Sequence, residues 1–304
     1  MTFPVLPVIG KARRGSSPTT VQMPQTPIRM ASVKPLPVKG KTLYVVTVGI
    51  NEYSQAEMNL EFAAPDAVAI GRLLKSKSKT VFENVSVTTL LNDQATRKGI
   101  LAAIEKVADV ARPDDTLAVF LAGHGVMSGQ RYYFVPANFS QRTGTSQDAI
   151  RSQGLPADAL GDAIAKVAAR QRLLIFDTCA SGGAIHLSKQ GADPFAFRGA
   201  IEQLGKEGGT FTLAAVGATD EAQEVKELGH GVLTYCLLSG AQAIDLGPLR
   251  NRSLKPAAAG GVADVLEWFS YAAGNVPRVT KQYFGKEQQV QLGGQGKAFS
   301  ILGL

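Results

Sequence analysis

Short apolar runs alternate with segments of helical spacing along most of the chain. The predicted strands are TLYVVTVGI, NVSVTTLL, TLAVFLAGHG, RLLIFDTCA and GTFTLAAVGAT, and RYYFVPAN predicts a short strand on a hairpin. The predicted helices are LEFAAPDAVAIGRLLK, ATRKGILAAIEKVADVA (with Thr96 as its cap), PADALGDAIAKVAAR, GVLTYCLLSGAQAI and GVADVLEWFSYAAG. The central strands are apolar throughout, which indicates burial on both faces. The alternation therefore predicts an α/β fold with a parallel sheet covered by helices on both sides.

Residues 1–40 differ in composition from the rest of the chain. They hold seven of the fifteen prolines and no acidic residue. Six of the seven net positive charges come from this segment, through Lys11, Arg13, Arg14, Arg29, Lys34 and Lys39. Such a segment predicts a disordered tail, which is either a solvated linker or an electrostatic tether to an acidic partner. We predict one domain over residues 41–304, whose near-neutral charge argues against direct nucleic-acid binding.

The composition narrows the class of protein further. The chain has 304 residues and is 45% hydrophobic and 19% charged, ordinary values for a protein with a sizeable core. No apolar run approaches the roughly 18 residues that a membrane span needs. Prolines break the apolar N-terminus and the basic residues follow it, which is not the order of a signal peptide. Two cysteines make no disulfide framework, so we predict a cytoplasmic protein with a free thiol and no membrane association.

Two residues with catalytic chemistry end two of the predicted strands. His124 follows LAVFLAG, and Cys179 follows LLIFDT. Because ligands of such sheets bind beyond the carboxyl ends of the strands, both residues are expected at one rim. An imidazole there can accept the thiol proton and later protonate a leaving amine. The amides of Gly125 and Cys179 are candidates for an oxyanion hole, and the flanking glycines are expected to let a substrate backbone approach.

Each of these features has a simpler interpretation by itself. A lone Gly-His-Gly is more often a turn, and a strand-end cysteine is more often a small buried hydrophobe. Their joint placement favours catalysis by His124 and Cys179. His230 lies in a second Gly-His-Gly and could compete as the base, but it precedes a helix and is placed near the substrate channel or helix start. Cys236 is predicted to be a core residue.

The segments FLAGHG and LLIFDTCASGG closely resemble those of caspase-like cysteine peptidases, especially the metacaspase and bacterial caspase-like branch. VGINEY, AAPDA and ATDEAQEVKELGHGVLTY support the resemblance. It implies a three-layer sandwich with about six mainly parallel central strands. The large-subunit-like part would span about 41–190 and the small-subunit-like part about 200–304. It also implies an endopeptidase with a Cys179–His124 dyad that needs no metal for bond cleavage.

The resemblance extends to activation and partners. Metacaspases often need calcium for activation, but no complete calcium site can be identified in this sequence. Protein or peptide substrates are expected, with a regulatory protein partner or a larger complex as a further possibility. Some bacterial relatives work in defence or programmed death. Two alternatives stay open: a catalytically silent caspase-like scaffold that binds protein partners through its Pro-rich tail, and a thiol hydrolase that does not cleave peptides.

Asp177 precedes Cys179 by two residues and should share its face of the strand. A carboxylate beside a thiol disfavours the thiolate, a cost that an incoming Lys or Arg side chain would offset. The resemblance implies that Asp177 and Asp66 form a pocket for basic side chains. The alternatives are that Asp177 bonds loop amides and that Asp66 belongs to a helix's first turn. Ala122 stands where many metacaspases have serine, which leaves Arg versus Lys open.

The stretch IHLSKQGADPFAFRG follows the cysteine turn, where caspase relatives carry a cleavable loop. Lys189 and Arg198 would suit a protease that cleaves after basic residues. The alternative is an uncleaved flexible loop. His186, in the same stretch, is predicted to be a loop residue.

Overall fold

The computed structural model describes residues 38–141, 145–179, 194–206, 208–216, 224–257 and 260–304. Most of the predicted tail, residues 1–37, lies outside this part of the chain. Residues 38–40 already belong to the first strand, three residues before the predicted domain start. The side chains of residues 38, 39, 179, 194–196 and 216 are also outside the description.

Nineteen labelled elements build the described fold. The strands are β1 (Val38–Gly49), β2 (Phe82–Leu91), β3 (Thr116–Ser128), β4 (Arg131–Phe134), β5 (Leu155–Pro156), β6 (Gln171–Cys179), β7 (Thr210–Val216), β8 (Glu224–Val225), β9 (His230–Gly231), β10 (Val262–Asp264), β11 (Gln289–Gln295) and β12 (Ser300–Gly303). The helices are α1 (Ala63–Lys77), α2 (Arg97–Ala108), α3 (Ser146–Gln153), α4 (Ala157–Ala165), α5 (Pro194–Leu204), α6 (Val232–Gly240) and α7 (Val265–Phe284). Short 3₁₀ turns, including Ala56–Met58, connect some of them.

The main sheet has six strands in the order β11-β7-β6-β3-β1-β2. The five strands from β7 to β2 are parallel to their neighbours, and β11 is antiparallel to β7. The β3–β4 hairpin and β5 extend the sheet from β3. This confirms the predicted fold class, a mainly parallel sheet flanked by helices.

Two apolar clusters lie on the two faces of the sheet. On one face, α1, α6 and α7 pack over the side chains of Leu43, Phe120 and Ile175. On the other, α2, α4 and α5 pack over Val48, Leu121 and Phe176. Because side chains alternate between the faces of a strand, strands buried on both sides must be apolar at every position. The continuous apolar runs of the sequence are therefore the signature of this three-layer arrangement.

Local signals account for where several elements begin. Thr96 caps α2 as predicted, its Oγ1 accepting a hydrogen bond from the Gly99 amide at 3.0 Å. Asp264 and Glu267 form a reciprocal capping box at the start of α7. That helix runs through Pro277 to Phe284, so it begins later and ends later than the sequence pattern predicts. No helix of the described residues is long and apolar enough to cross a membrane.

Candidate active site

The strands β3 and β6, which contain His124 and Cys179, are direct neighbours in the sheet. Cys179 ends β6 as predicted, whereas β3 continues past His124 to Ser128 because it forms a hairpin with β4. Parallel β3 and β6 pair Gly123 with Thr178 and His124 with Cys179. Neighbouring strands lie about 4.8 Å apart, so the backbones of the two predicted catalytic residues are adjacent. The side chain of Cys179 is outside the described part, as is its predicted placement on the same face as Asp177.

The imidazole of His124 is held by a carbonyl and a tyrosine. Its Nε2 lies 2.7 Å from the Met58 carbonyl oxygen. Since a carbonyl only accepts, Nε2 carries a proton, and Nδ1 of the neutral ring keeps its lone pair. The Tyr53 hydroxyl accepts from the His124 amide at 2.9 Å, and the two rings are 5.0 Å apart. Burial lowers the pKa of His124, which favours the neutral base.

The glycines beside His124 have a structural reason of their own. A Cβ on Gly123, whose φ is +149°, would lie 2.8 Å from the Tyr53 hydroxyl. One on Gly125 would lie 2.4 Å from the Tyr132 hydroxyl. That hydroxyl also shares a 2.7 Å hydrogen bond with the Thr178 Oγ1 atom. The glycines therefore leave room for tyrosines of the protein itself, and the predicted approach of a substrate backbone stays a prediction.

Asp66 and Asp177 come together from α1 and β6, although 111 residues separate them in the sequence. Asp66 Oδ1 is 2.5 Å from His230 Nδ1, and Asp66 Oδ2 accepts from the Gly231 amide at 3.0 Å. Asp177 Oδ2 accepts from the amide and hydroxyl of Thr234 at 3.1 and 2.6 Å. The β9–α6 segment thus holds both carboxylates.

Gly231 shows how close the two acids are. A Cβ at this position would lie 3.0 Å from Oδ2 of Asp66 and 3.0 Å from Oδ2 of Asp177. Burial raises the pKa of both carboxyl groups, and the charge of Asp177 raises that of Asp66 further. Hydrogen bonds from Gly231 and Thr234 oppose these shifts. A cation that enters beside two carboxylates so placed would stabilise their ionised forms.

A third carboxylate, Glu224 on β8, was not predicted. Its Oε2 and Oε1 atoms accept from the amides of Glu61 and Phe62, at 2.9 and 2.7 Å, just before α1. It lines a small cavity with Asp66 and Asp177, whose wall also includes Leu60, Gly123 and Gly231. Burial raises the pKa of Glu224 as well. The sequence places it in the acidic stretch DEAQEVKE, where nothing distinguishes it from its neighbours.

The other residues singled out in the sequence lie in the core, in a helix or outside the described residues. Cys236 is fully buried within α6, and burial raises its pKa, which confirms a core role. Arg198 lies inside α5 and pairs with Glu202 at 2.7 Å. The prediction of Arg198 on a cleavable loop is therefore wrong, because a helix does not present the extended backbone that a protease grips. Lys189 and His186 lie outside the described residues.

Among the described residues, no group of three or more His, Cys, Asp or Glu side chains is arranged to hold a metal ion. Asp66, Asp177 and Glu224 are instead occupied by backbone amides, Thr234 and His230.

Comparison with known proteins identifies the class. A family model described as the caspase domain matches residues 42–276, so the chain belongs to this family, whose activity is that of cysteine peptidases. The fold is similar to that of caspase-1 from Spodoptera frugiperda (TM-score 0.51, 11% identity, covering 93% of this chain and 98% of that one). It is also similar to a protein from Geobacter sulfurreducens (TM-score 0.52, 15% identity, covering 84% and 95%). At these identities the two structures show the fold alone. The curated proteins give no significant match.

Proposed function

We propose that the protein is a cysteine endopeptidase that uses Cys179 as nucleophile and His124 as acid and base, and cleaves after Arg or Lys. The observation that carries the proposal is the pairing of His124 with Cys179 on the neighbouring strands β3 and β6, beside the cavity of Asp66, Asp177 and Glu224. A caspase-domain chain of this kind fits protein or peptide substrates.

The chemistry needs only groups that the protein supplies. His124 Nδ1 takes the thiol proton, and the Cys179 sulfur attacks the peptide carbonyl to form a tetrahedral oxyanion. The amides of Gly125 and Cys179 are proposed to stabilise this anion. The C–N bond then breaks as His124 protonates the leaving amine, and a thioester remains. Water, deprotonated by His124, attacks the thioester, and the C–S bond breaks to release the acid and restore the thiol.

The acidic cavity supports a preference for basic side chains. Asp66, Asp177 and Glu224 surround it, and in the part of the chain described here no Lys or Arg pairs with any of the three. A guanidinium or ammonium group would offset their mutual repulsion and form charge-assisted hydrogen bonds. An acidic side chain would add a further negative charge. The charge of Arg or Lys therefore complements this cavity, and the charge of Asp does not.

Several finer expectations belong to the same proposal. The chemistry requires no metal. Activation by calcium would need a metal site, and no such group of ligands is arranged among the described residues. Cleavage within residues 180–193, after Lys189, would be self-processing. A cytoplasmic location is inferred from the two cysteines, and a regulatory partner or larger complex from the basic, Pro-rich tail. A role in bacterial defence or cell death rests on family resemblance.

A panel of fluorogenic peptides tests the proposal directly. The panel varies only the residue before the reporter bond, as Arg, Lys, Asp or Ala, and each substrate is given to the wild-type protein and to Cys179→Ala. We expect turnover of the Arg and Lys peptides by the wild type alone. Faster cleavage of the Asp peptide would contradict the pocket assignment. Turnover of none of the peptides, with and without calcium, would favour a catalytically silent scaffold.

A further inference from the structure

A second histidine contacts one carboxylate of the acidic cavity. His230 on β9 places Nδ1 2.5 Å from Asp66 Oδ1, and its side chain is 16% exposed. We propose that His230 is a positioning residue for substrate specificity: its Nδ1–H keeps Asp66 ionised and correctly oriented for an incoming basic side chain. This inference rests on the proposed function, because it takes Asp66 as part of the specificity pocket.

The surroundings of Asp66 explain why a donor is needed. Asp66 on α1 faces Asp177 on β6 and Glu224 on β8. Burial raises the pKa of Asp66, and the charges of Asp177 and Glu224 raise it further. The neighbouring helix α6 contributes Thr234, which is uncharged. Repulsion and burial therefore favour protonation of Asp66, and a protonated carboxyl cannot form an ion pair with a guanidinium. A donor on its Oδ1 atom stabilises the ionised form.

Of the basic side chains described near the acidic cavity, His230 is the one that contacts Asp66. Lys226, in the turn between β8 and β9, pairs with Glu61 at 3.0 Å and is largely exposed. Burial lowers the pKa of His230, and the charge of Asp177 raises it. Whether the ring is neutral or charged, its Nδ1 can donate to Asp66, because Nδ1 carries the proton in one neutral tautomer as well as in the imidazolium.

The contact also fixes the orientation of the carboxylate. Consecutive residues of β9 hold the two oxygens of Asp66, His230 at Oδ1 and the Gly231 amide at Oδ2. Rotation of the carboxylate would break both hydrogen bonds. Asp66 Oδ2 is thereby kept beside Asp177 Oδ2, next to the same face of Gly231. Loss of the Nδ1 donor would leave only one of these two restraints.

Two variants separate this role from simple packing of the ring. His230→Phe keeps the ring but removes the donor. His230→Asn loses the ring but places its amide nitrogen where Nδ1 lies. If the hydrogen bond matters, Asn should behave like the wild type and Phe should not. If packing matters, the order should reverse.

The experiment measures kcat and KM for matched Arg and Lys peptides from about pH 5.5 to 8.5, a range chosen to span the ordinary histidine pKa. For His230→Phe we expect KM to rise about tenfold or more at neutral pH, the effect of losing a hydrogen bond to a charged group, with kcat changed less than about threefold. As the pH is lowered, the KM of His230→Phe should begin to rise at a higher pH than that of the wild type, because loss of the donor increases the pKa of Asp66. For His230→Asn we expect KM within about threefold of the wild type.

A binding assay removes bond cleavage from the comparison. The same substitutions are made in Cys179→Ala protein and titrated with agmatine, a small guanidinium compound, by calorimetry. The Phe variant should bind about tenfold more weakly or worse, and the Asn variant like its parent. His230→Gln, which moves the donor to the position of Nε2, should resemble Phe and replaces it if that variant does not fold.

Three outcomes would overturn the inference. They are equal KM values for Phe and wild type, failure of Asn with retention by Phe, and a loss confined to kcat, which would place His230 in the chemistry itself. Failure of the proposed function is visible separately, because the wild-type protein would then not prefer Arg and Lys peptides at all.

Discussion

The two Gly-His-Gly segments of this protein use the same three residues for different purposes. His124 lies in β3, a central strand of the sheet, and bonds a backbone carbonyl through Nε2. His230 lies in β9, a two-residue strand before α6, and bonds a carboxylate through Nδ1. One histidine is paired in register with Cys179, while the other reaches Asp66, 164 positions away. The two histidines therefore differ in which ring nitrogen contacts a distant residue: Nε2 in His124 and Nδ1 in His230.

The largest expected difference between the two histidines is in kcat. His124→Ala should lower kcat for an Arg peptide by about 10²- to 10⁴-fold, because the proposed general base is lost. His230→Asn should change it less than about threefold, because the hydrogen bond to Asp66 is kept. Steady-state kinetics of both variants, with melting temperatures as a folding control, give the comparison. Equal losses of kcat would mean that the division of roles is incorrect.

The next effect concerns the acids that the second segment holds. Asp177→Asn and Asp66→Asn should each lower kcat/KM for Arg peptides by about 10- to 100-fold, since each removes a charge-assisted contact of the substrate. Asp158→Asn, on an exposed residue paired with Arg131, is the matched control. Alkylation of Cys179 by iodoacetamide, which has no side chain to recognise, should not slow by a comparable factor. Unchanged selectivity in both variants would contradict the acidic pocket.

Replacing the glycine that follows each histidine should affect a different property: stability at Gly125 and substrate binding at Gly231. Gly125→Ala places a Cβ 2.4 Å from the Tyr132 hydroxyl, and we expect a loss of about 1–3 kcal/mol in the free energy of unfolding. Gly231→Ala meets two carboxylate oxygens at 3.0 Å, so its larger effect should be on KM for basic peptides. Denaturant unfolding and kinetics on both proteins test the contrast. The predicted contrast is contradicted if Gly231→Ala is less stable than Gly125→Ala and binds substrate with the wild-type KM.

The smallest expected difference between the two histidines is spectroscopic. In Cys179→Ala protein, imidazole ¹⁵N shifts should show a proton on Nε2 of neutral His124 and on Nδ1 of neutral His230. Burial lowers the pKa of both rings, so each should gain its second proton below the ordinary histidine value. Signals are assigned with His124→Gln and His230→Asn. Matching tautomers would remove the structural basis of the comparison.

Much of the architecture was predictable because burial leaves a direct mark on composition. Strands covered on both faces must be apolar throughout, and this pattern located β1, β3, β6 and β7. Edge strand β11 was missed, because its sequence, QVQLGGQ, is polar and lacks that mark. Helices α3 and α5 were also missed, and Pro277 concealed the length of α7.

The candidate site was predictable only in part. Resemblance and strand position selected His124, Cys179, Asp66 and Asp177, and the structure brings the last two together through β9 and α6. Glu224 had no local signal, because its role comes from hydrogen bonds to amides at Glu61 and Phe62. The placement of His230 near a helix start was correct, since β9, which contains it, directly precedes α6. Its contact with Asp66 could not be inferred from its neighbours in the sequence.

The sequence by itself determined the layers of this protein and the strands that carry its candidate catalytic residues, because the hydrophobic pattern of a strand reflects its own burial. The tertiary structure decided which atoms those residues present to one another. Parallel pairing set the register of His124 against Cys179, and the packing of α1 against β9 brought His230 to Asp66. Hydrogen bonds between distant segments depend on distances of a few tenths of an ångström, and spacing along a chain carries no such information.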